Sequence, residues 1–221
     1  PPRSTLFPYT TLFRSGDADG ARVLRLHPDG SQAFAAMLQK GALLFGRPDW
    51  VSNLNGQGKH EAQWLYASLD RPAAPTARQP GLSFPEGGYE LFESGRGTPR
   101  EIKGLLDVGP LGFLGIAAHG HADALQLCLS VGGQPVLVDP GTYSYHAERE
   151  WRDYFRGTKA HNTVCVDGLD QSRSGGRFMW VRHARSTLHR IERGSAGELE
   201  LEASHAGYLC LPVPTSHRRM L

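Results

Sequence analysis

Between residues 82 and 205 the chain is cut into short apolar runs by glycine pairs and by Asp-Gly and Pro-Gly steps. That punctuation limits the fold more than any other feature. Leu125 to Val131 alternates, with Leu125, Leu127, Leu129 and Val131 on one face and Gln126, Cys128 and Ser130 on the other. This is the period of a half-buried strand. Gly132-Gly133 follows and leads into Pro135 to Val138, which predicts a hairpin closed by a two-residue turn. FPEGGYELFES (84–94) reads as two strands around a Gly-Gly turn, and EIKGLLDV (101–108) as a third. Thr163 to Val166 runs into Asp167-Gly168, a second hairpin signal. Phe178 to Val181, Ser186 to Ile191 and Glu198 to Ala203 continue the series. Short strands at regular spacing predict a mainly β chain built as an antiparallel β-sandwich. A further strand opens near the last residues, so the sandwich is expected to continue past Leu221.

Upstream the texture is different. In SQAFAAMLQKGALLF (31–45), Phe34, Met37, Leu38 and Leu44 follow helical spacing and Ser31 can cap the N-terminus. KHEAQWLYASL (59–69) predicts a second short helix with Trp64, Leu65 and Leu69 on one face. RPAAPTARQPG (71–81) has no periodicity and marks a boundary. The expected organisation is a few helices in 16–75, a linker at 76–81 and the β-domain at 82–221. Residues 1–15 repeat TLF within nine residues and resemble a translated sequencing adapter, so they are set apart from functional reasoning.

At 221 residues and 39% hydrophobic content the chain is long and apolar enough to bury a core. A net charge of +2 gives no argument for nucleic acid as a partner. No run approaches the roughly 18 apolar residues of a membrane span. The three cysteines, Cys128, Cys165 and Cys210, are too scattered for a disulfide framework or a CxxC metal site. Cys128 and Cys165 are expected as small buried residues inside strands.

The chemistry gathers between His119 and His161. HGHAD carries His119 and His121, the run ending LVDPG carries Asp139, and AHNT carries His161. Imidazole and carboxylate are the usual non-thiolate ligands of a tetrahedral zinc ion. On a strand, His119 and His121 would point to the same face. The other possibility is that these are ordinary surface histidines, since the chain has ten.

Taken in order, HGHAD, GG-P-LVDPGTY, WR-YFR-T-AHNTV and VDG-DQS resemble the C-terminal β-domain of heparinase II/III-like polysaccharide lyases, over about residues 82–205. The resemblance implies an α/α toroid followed by an antiparallel β-sandwich, with substrate in the cleft between them. Residues 16–75 would be the last helices of the toroid. It implies a zinc ion (Zn2+) held by His121, Asp139 and His161, with His119 as the catalytic histidine. A catalytic Tyr and an Asn or His of the helical domain have no match in 16–75, so the chain by itself is expected to be inactive. The implied substrate is an acidic polysaccharide, and the implied location is periplasmic or secreted.

The implied reaction is β-elimination at a 4-linked uronic acid. It needs a base for the C5 proton, an acid for the O4 leaving group, and groups that stabilise charge on the carboxylate. His119 can act as base or donor. Tyr143 and Tyr145 are candidate proton shuttles, or edge residues whose rings simply pack. Arg152 and Arg156 are candidate substrate-binding residues, because guanidinium grips carboxylate or sulfate with two hydrogen bonds. The alternative is loop charges paired with Glu148, Glu150 and Asp153. Two other readings remain in view: a non-catalytic, metal-stabilised carbohydrate-binding sandwich, and a two-His-one-carboxylate oxygenase. The wide spacing from Asp139 to His161 weighs against the oxygenase.

Overall fold

The computed structural model describes residues 33–51, 83–96, 98–194 and 199–221. The expected helix over 59–69, the linker and the 1–15 segment lie outside these residues. The described residues fall into two units, 33–51 in one and the β-rich remainder in the other.

In the first unit, α1 (Ala33–Phe45) forms where unbranched residues and alanine dominate. It stops at Gly46, whose φ of 62° only glycine adopts cheaply. The Arg47 amide then bonds back to the Ala42 carbonyl at 2.9 Å. The buried positions are Ala35, Ala36 and Ala42, while Met37 and Leu44 of the expected apolar face are exposed.

The second unit contains ten strands and one α-helix among the described residues. β1 (Ser83–Phe84), β2 (Tyr89–Ser94), β3 (Ile102–Asp107), β4 (Leu127–Val131) and β5 (Gln134–Leu137) form an antiparallel meander in chain order. β6 (Arg173–Gly176) and β7 (Met179–Arg182) form a ribbon. β8 (Ser186–Arg193), β9 (Leu199–His205) and β10 (His217–Met220) form a three-stranded sheet with β9 in the middle. Leu106 of β3 and Leu125 pack on Leu201 and Ala203 of β9, with Ile191 of β8 beside them. That contact makes the two larger sheets the layers of a sandwich. Phe92 lies over Gly104, its cross-strand partner, where any Cβ would overlap the ring.

The hairpin expected at Gly132-Gly133 is present. Val131 pairs with Gln134 and both glycines have positive φ, as a type I′ turn requires. Asp167-Gly168 also turns with two positive φ values, but only one isolated bridge, Val166 to Leu169, flanks it. The strand expected at Thr163 to Val166 is therefore absent. The face of β4 also differs from expectation. Cys128 and Ser130 are buried while Leu127 and Leu129 are half covered and Val131 is exposed. The reason is tertiary: the 138–162 segment lies along that face, and the Leu127 amide bonds the Asn162 carbonyl. Burial, reinforced by the nearby Asp139 charge, pushes the Cys128 thiol up to about 12, so it stays neutral.

β9 and β10 share a buried histidine pair. His205 Nδ1 accepts from the Gly207 amide, so its proton sits on Nε2, which donates to His217 Nδ1 at 3.0 Å. Burial, with the His217 charge adding to it, lowers His205 to about 4. A histidine lowered in the folded state binds its proton more readily when unfolded, so stability is complete above pH ~6.5 and declines towards pH ~4. Allowing for solvent screening, the loss is roughly 2 kcal/mol. Urea denaturation at pH 7 and pH 5 should show the full fall in the wild type and a smaller one in His205→Gln, since burial lowers His217 as well; equal pH slopes would refute it.

Candidate active site and metal centre

The site forms where two long connections meet at one end of the five-stranded sheet. The 108–126 connection between β3 and β4 carries HGHAD. The 138–172 connection between β5 and β6 carries Asp139, helix α2 (Arg149–Arg156) and His161. HGHAD is a loop rather than the expected strand end, so its two histidines diverge. His119 takes φ 63° and is exposed; His121 turns inward and is buried. A non-glycine residue held in the left-handed region is backbone strain, and such strain concentrates at functional sites.

The loop keeps this shape because its carbonyls are bonded from distant segments. Trp180 Nε1 donates to Gly120 O at 2.8 Å. Thr158 Oγ1 and Gln171 Nε2 both donate to Ala122 O, at 2.8 and 2.7 Å. Thr163 Oγ1 donates to Ala124 O at 2.8 Å. The Thr158 amide is itself held by Asp170, so the DQS motif serves as a brace for HGHAD.

His119 lines an open cleft whose walls are 109–114 and 118–124. The Tyr145 hydroxyl lies 3.2 Å from His119 Nδ1, and the two rings are nearly parallel. Tyr143 stands apart from this pair. It is exposed and packs on Phe155 and Trp151 of α2.

Behind the loop, Asp123, Asp139 and His161 are buried with one ligand atom of each within 4.8 Å of the others. His161 Nδ1 is 3.2 Å from Asp139 Oδ2, and the His121 ring centroid is 5.3 Å from that of His161. Asp139 Oδ1 accepts the Gly141 amide at 2.7 Å. Burial raises the Asp139 carboxyl, but hydrogen bonds from His161, Gly141 and Gln126 outweigh it and hold the group below its usual range. Burial likewise lowers His161, and the bond to Asp139 with the charges of Asp123 and Asp139 reverses the shift.

Two of the three residues expected at a metal, Asp139 and His161, therefore fall in this group, its third member is Asp123, and the His121 ring lies beside that of His161. The donor set suits a divalent cation. Two donors of a tetrahedral zinc stand about 3.3 Å apart, close to the Asp139–His161 separation. Asp123 was legible in principle as the acidic end of HGHAD, two residues after His121.

Arg152 and Arg156 depart from the expected role as grips on substrate. Both are buried, at 1% and 2% exposure. They sit four apart on the inner face of α2, and their charges are met by carbonyls of the β6–β7 turn. Arg152 donates to Arg177 O at 3.2 and 3.3 Å. Arg156 donates to Gly176 O and Met179 O, with its guanidinium 4.3 Å from the Trp180 ring centroid. Arg152 also lies 5.3 Å from the ring centroid of Tyr145, so it supports the tyrosine from within.

The description Heparinase II/III-like, C-terminal, matches residues 76–221, about two thirds of the chain. The chain belongs to the heparinase II/III-like family. Solved structures agree on the fold. A heparinase III with methylated lysines superposes with a TM-score of 0.55 at 20% identity, over 93% of this chain and 26% of its own. A heparan sulfate lyase from Pedobacter heparinus gives 0.56 at 18% identity, with 93% and 26% covered. A second heparinase III gives 0.51 at 19% identity, with 76% and 26% covered. Among curated proteins no sequence matches. The chain spans about a quarter of the length of these solved structures. In this heparinase II/III-like β-domain, no helix among the described residues is long and apolar enough to cross a membrane.

Proposed function

We propose that the chain is the β-domain side of a polysaccharide lyase that cleaves uronic-acid-containing polymers by β-elimination. The observation that carries this reading is exposed His119 on the wall of a cleft, hydrogen-bonded to Tyr145 and two residues before His121, in the loop whose Asp123 belongs to a buried group able to hold a metal ion. A base takes the C5 proton of the uronate. The C4–O4 bond breaks, its electron pair leaves on O4, an acid protonates that oxygen, and a C4=C5 double bond remains. His119 and Tyr145 share a hydrogen bond, so a proton accepted by one is relayed to the other. His119 also donates towards the substrate carboxylate, where negative charge develops. Tyr143 packs on Trp151 and Phe155 of α2, and the proton-transfer role is read for Tyr145. Arg152 and Arg156 act as internal braces.

The ion in this reading is zinc, held by His121, Asp139 and His161 with Asp123 beside them. It would supply rigidity, tying the HGHAD loop to the 138–162 segment. Residues 16–75 are read as the end of a helical domain, and the further catalytic groups of the reaction are read as belonging to the rest of that domain. A polymeric acidic substrate places the enzyme outside the cytoplasm, in the periplasm or beyond the cell.

The test is ultraviolet absorbance of the unsaturated uronate product. The full-length protein is incubated with heparin, heparan sulfate, alginate and hyaluronan. A rise on one of these is expected. Retention on an acidic glycan column without any rise would replace the lyase with a metal-stabilised binding sandwich.

A further inference from the structure

Gln126 is a fully buried polar side chain at the site that the reaction does not account for. It is 0% exposed. Its Nε2 stands between both carboxylates, 2.8 Å from Asp139 Oδ2 and 3.1 Å from Asp123 Oδ2. Its backbone is fixed as well: the amide bonds Asp123 O at 2.8 Å and the carbonyl accepts from the Asp107 amide at 3.1 Å. Its Oε1 is buried and has no hydrogen-bond partner among the described residues.

These facts fix the orientation of the side chain. Ionised carboxylates only accept, so the atom between them must be the NH2 group. The carbonyl end is then left without a donor, which buried amides ordinarily avoid. The arrangement is explained if the two donors of one NH2 group are needed between two like charges. Two carboxylates this close repel each other unless donors or a cation separate them. A preorganised pair of carboxylates is also what a divalent cation requires, and outer groups that orient the ligands control affinity.

We propose that Gln126 is a positioning residue of the metal centre: its amide holds Asp123 and Asp139 in place for one divalent cation. This rests on the metal reading given above. It adds that Asp123 and Asp139 act as a pair and that a neutral amide sets their spacing.

The test compares the full chain with Gln126→Met, which keeps the volume and removes the donors. Zinc affinity is measured by competition with a chromophoric chelator, and the cobalt-substituted proteins are compared by visible absorption. Zinc affinity is expected to fall about 10- to 100-fold, as for other outer-shell changes. The cobalt bands should shift, and the rise in melting temperature on adding zinc should shrink. A purely structural glutamine would lower the melting temperature of the metal-free protein and leave the zinc-induced rise intact. Equal affinity and equal cobalt spectra overturn the proposal while the metal reading stands. A wild type that takes up no zinc overturns the metal reading itself. Should Gln126→Met fail to fold, the wild type supplies the answer by nuclear magnetic resonance. The Gln126 side-chain NH2 signals should move on zinc addition, and unmoved signals refute the role.

Discussion

Asp139→Ala is expected to destabilise the β-domain by about 3–5 kcal/mol and to abolish zinc retention. The carboxylate is 1% exposed and accepts from three groups: the Gly141 amide, Gln126 Nε2 and His161 Nδ1. Truncation leaves the Gly141 amide and His161 Nδ1 buried without this acceptor and Gln126 Nε2 with Asp123 alone, and each buried donor left unpaired costs about 1–3 kcal/mol. It also removes the counter-charge that keeps His161 above its usual pKa. The damage should propagate, because the residue after His161 carries the carbonyl that pairs with the start of β4. Guanidinium denaturation at pH 7, with and without zinc, gives the size, and elemental analysis gives the metal content. A variant within 1 kcal/mol of wild type that still retained zinc would remove Asp139 from the centre.

His119→Gly in the full-length enzyme is expected to cut kcat by about 10²- to 10⁴-fold, the usual contribution of a positioned acid or base. Its stability should not fall. The side chain is exposed, so little packing is lost. The backbone φ of 63° costs a non-glycine residue about 1–2 kcal/mol, which glycine avoids, offset by glycine's larger entropy in the unfolded chain. Tyr145→Phe removes the hydroxyl at 3.2 Å and should give a smaller loss of the same kind. Product absorbance and thermal unfolding on the same samples decide the matter. If His119→Gly keeps its activity, the histidine has no part in the chemistry. If it loses both activity and several kcal/mol of stability, the loop shape depends on the imidazole and the catalytic argument weakens.

Substitutions at Arg152 and Arg156 bear on the cleft differently. Their guanidiniums satisfy backbone carbonyls of the β6–β7 turn, and Arg152 backs the Tyr145 ring. A change at either position reaches the reaction through the support of Tyr145 and the HGHAD loop.

Much of the fold was legible because it is written in short-range stereochemistry. Gly132-Gly133 turns as read, since only glycine takes two positive φ values without strain. β2, β3, β7, β8 and β9 lie within a few residues of their expected spans, and α1 starts and stops where alanine-rich sequence meets Gly46. Helix α2 was not anticipated. Its inner face is arginine and its outer face is Trp151 and Tyr154, the reverse of the pattern that marks an amphipathic helix.

The residues of the candidate site were legible as types in order: His119, His121, Asp139, His161 and the tyrosines. Their arrangement was not. A strand would have put His119 and His121 on one face; carbonyl bonds from Trp180, Thr158 and Gln171 instead hold a loop that separates them. Which face of β4 became core, and that Asp123 and Gln126 close on Asp139, depend on the 138–162 segment lying across that strand. Sequence alone determined the turns, the strand rhythm and the inventory of reactive groups, because each depends on a residue and its immediate neighbours. Tertiary structure alone decided which of those groups meet, because their partners lie tens of residues away and are chosen by packing and by the pairing of buried polar atoms.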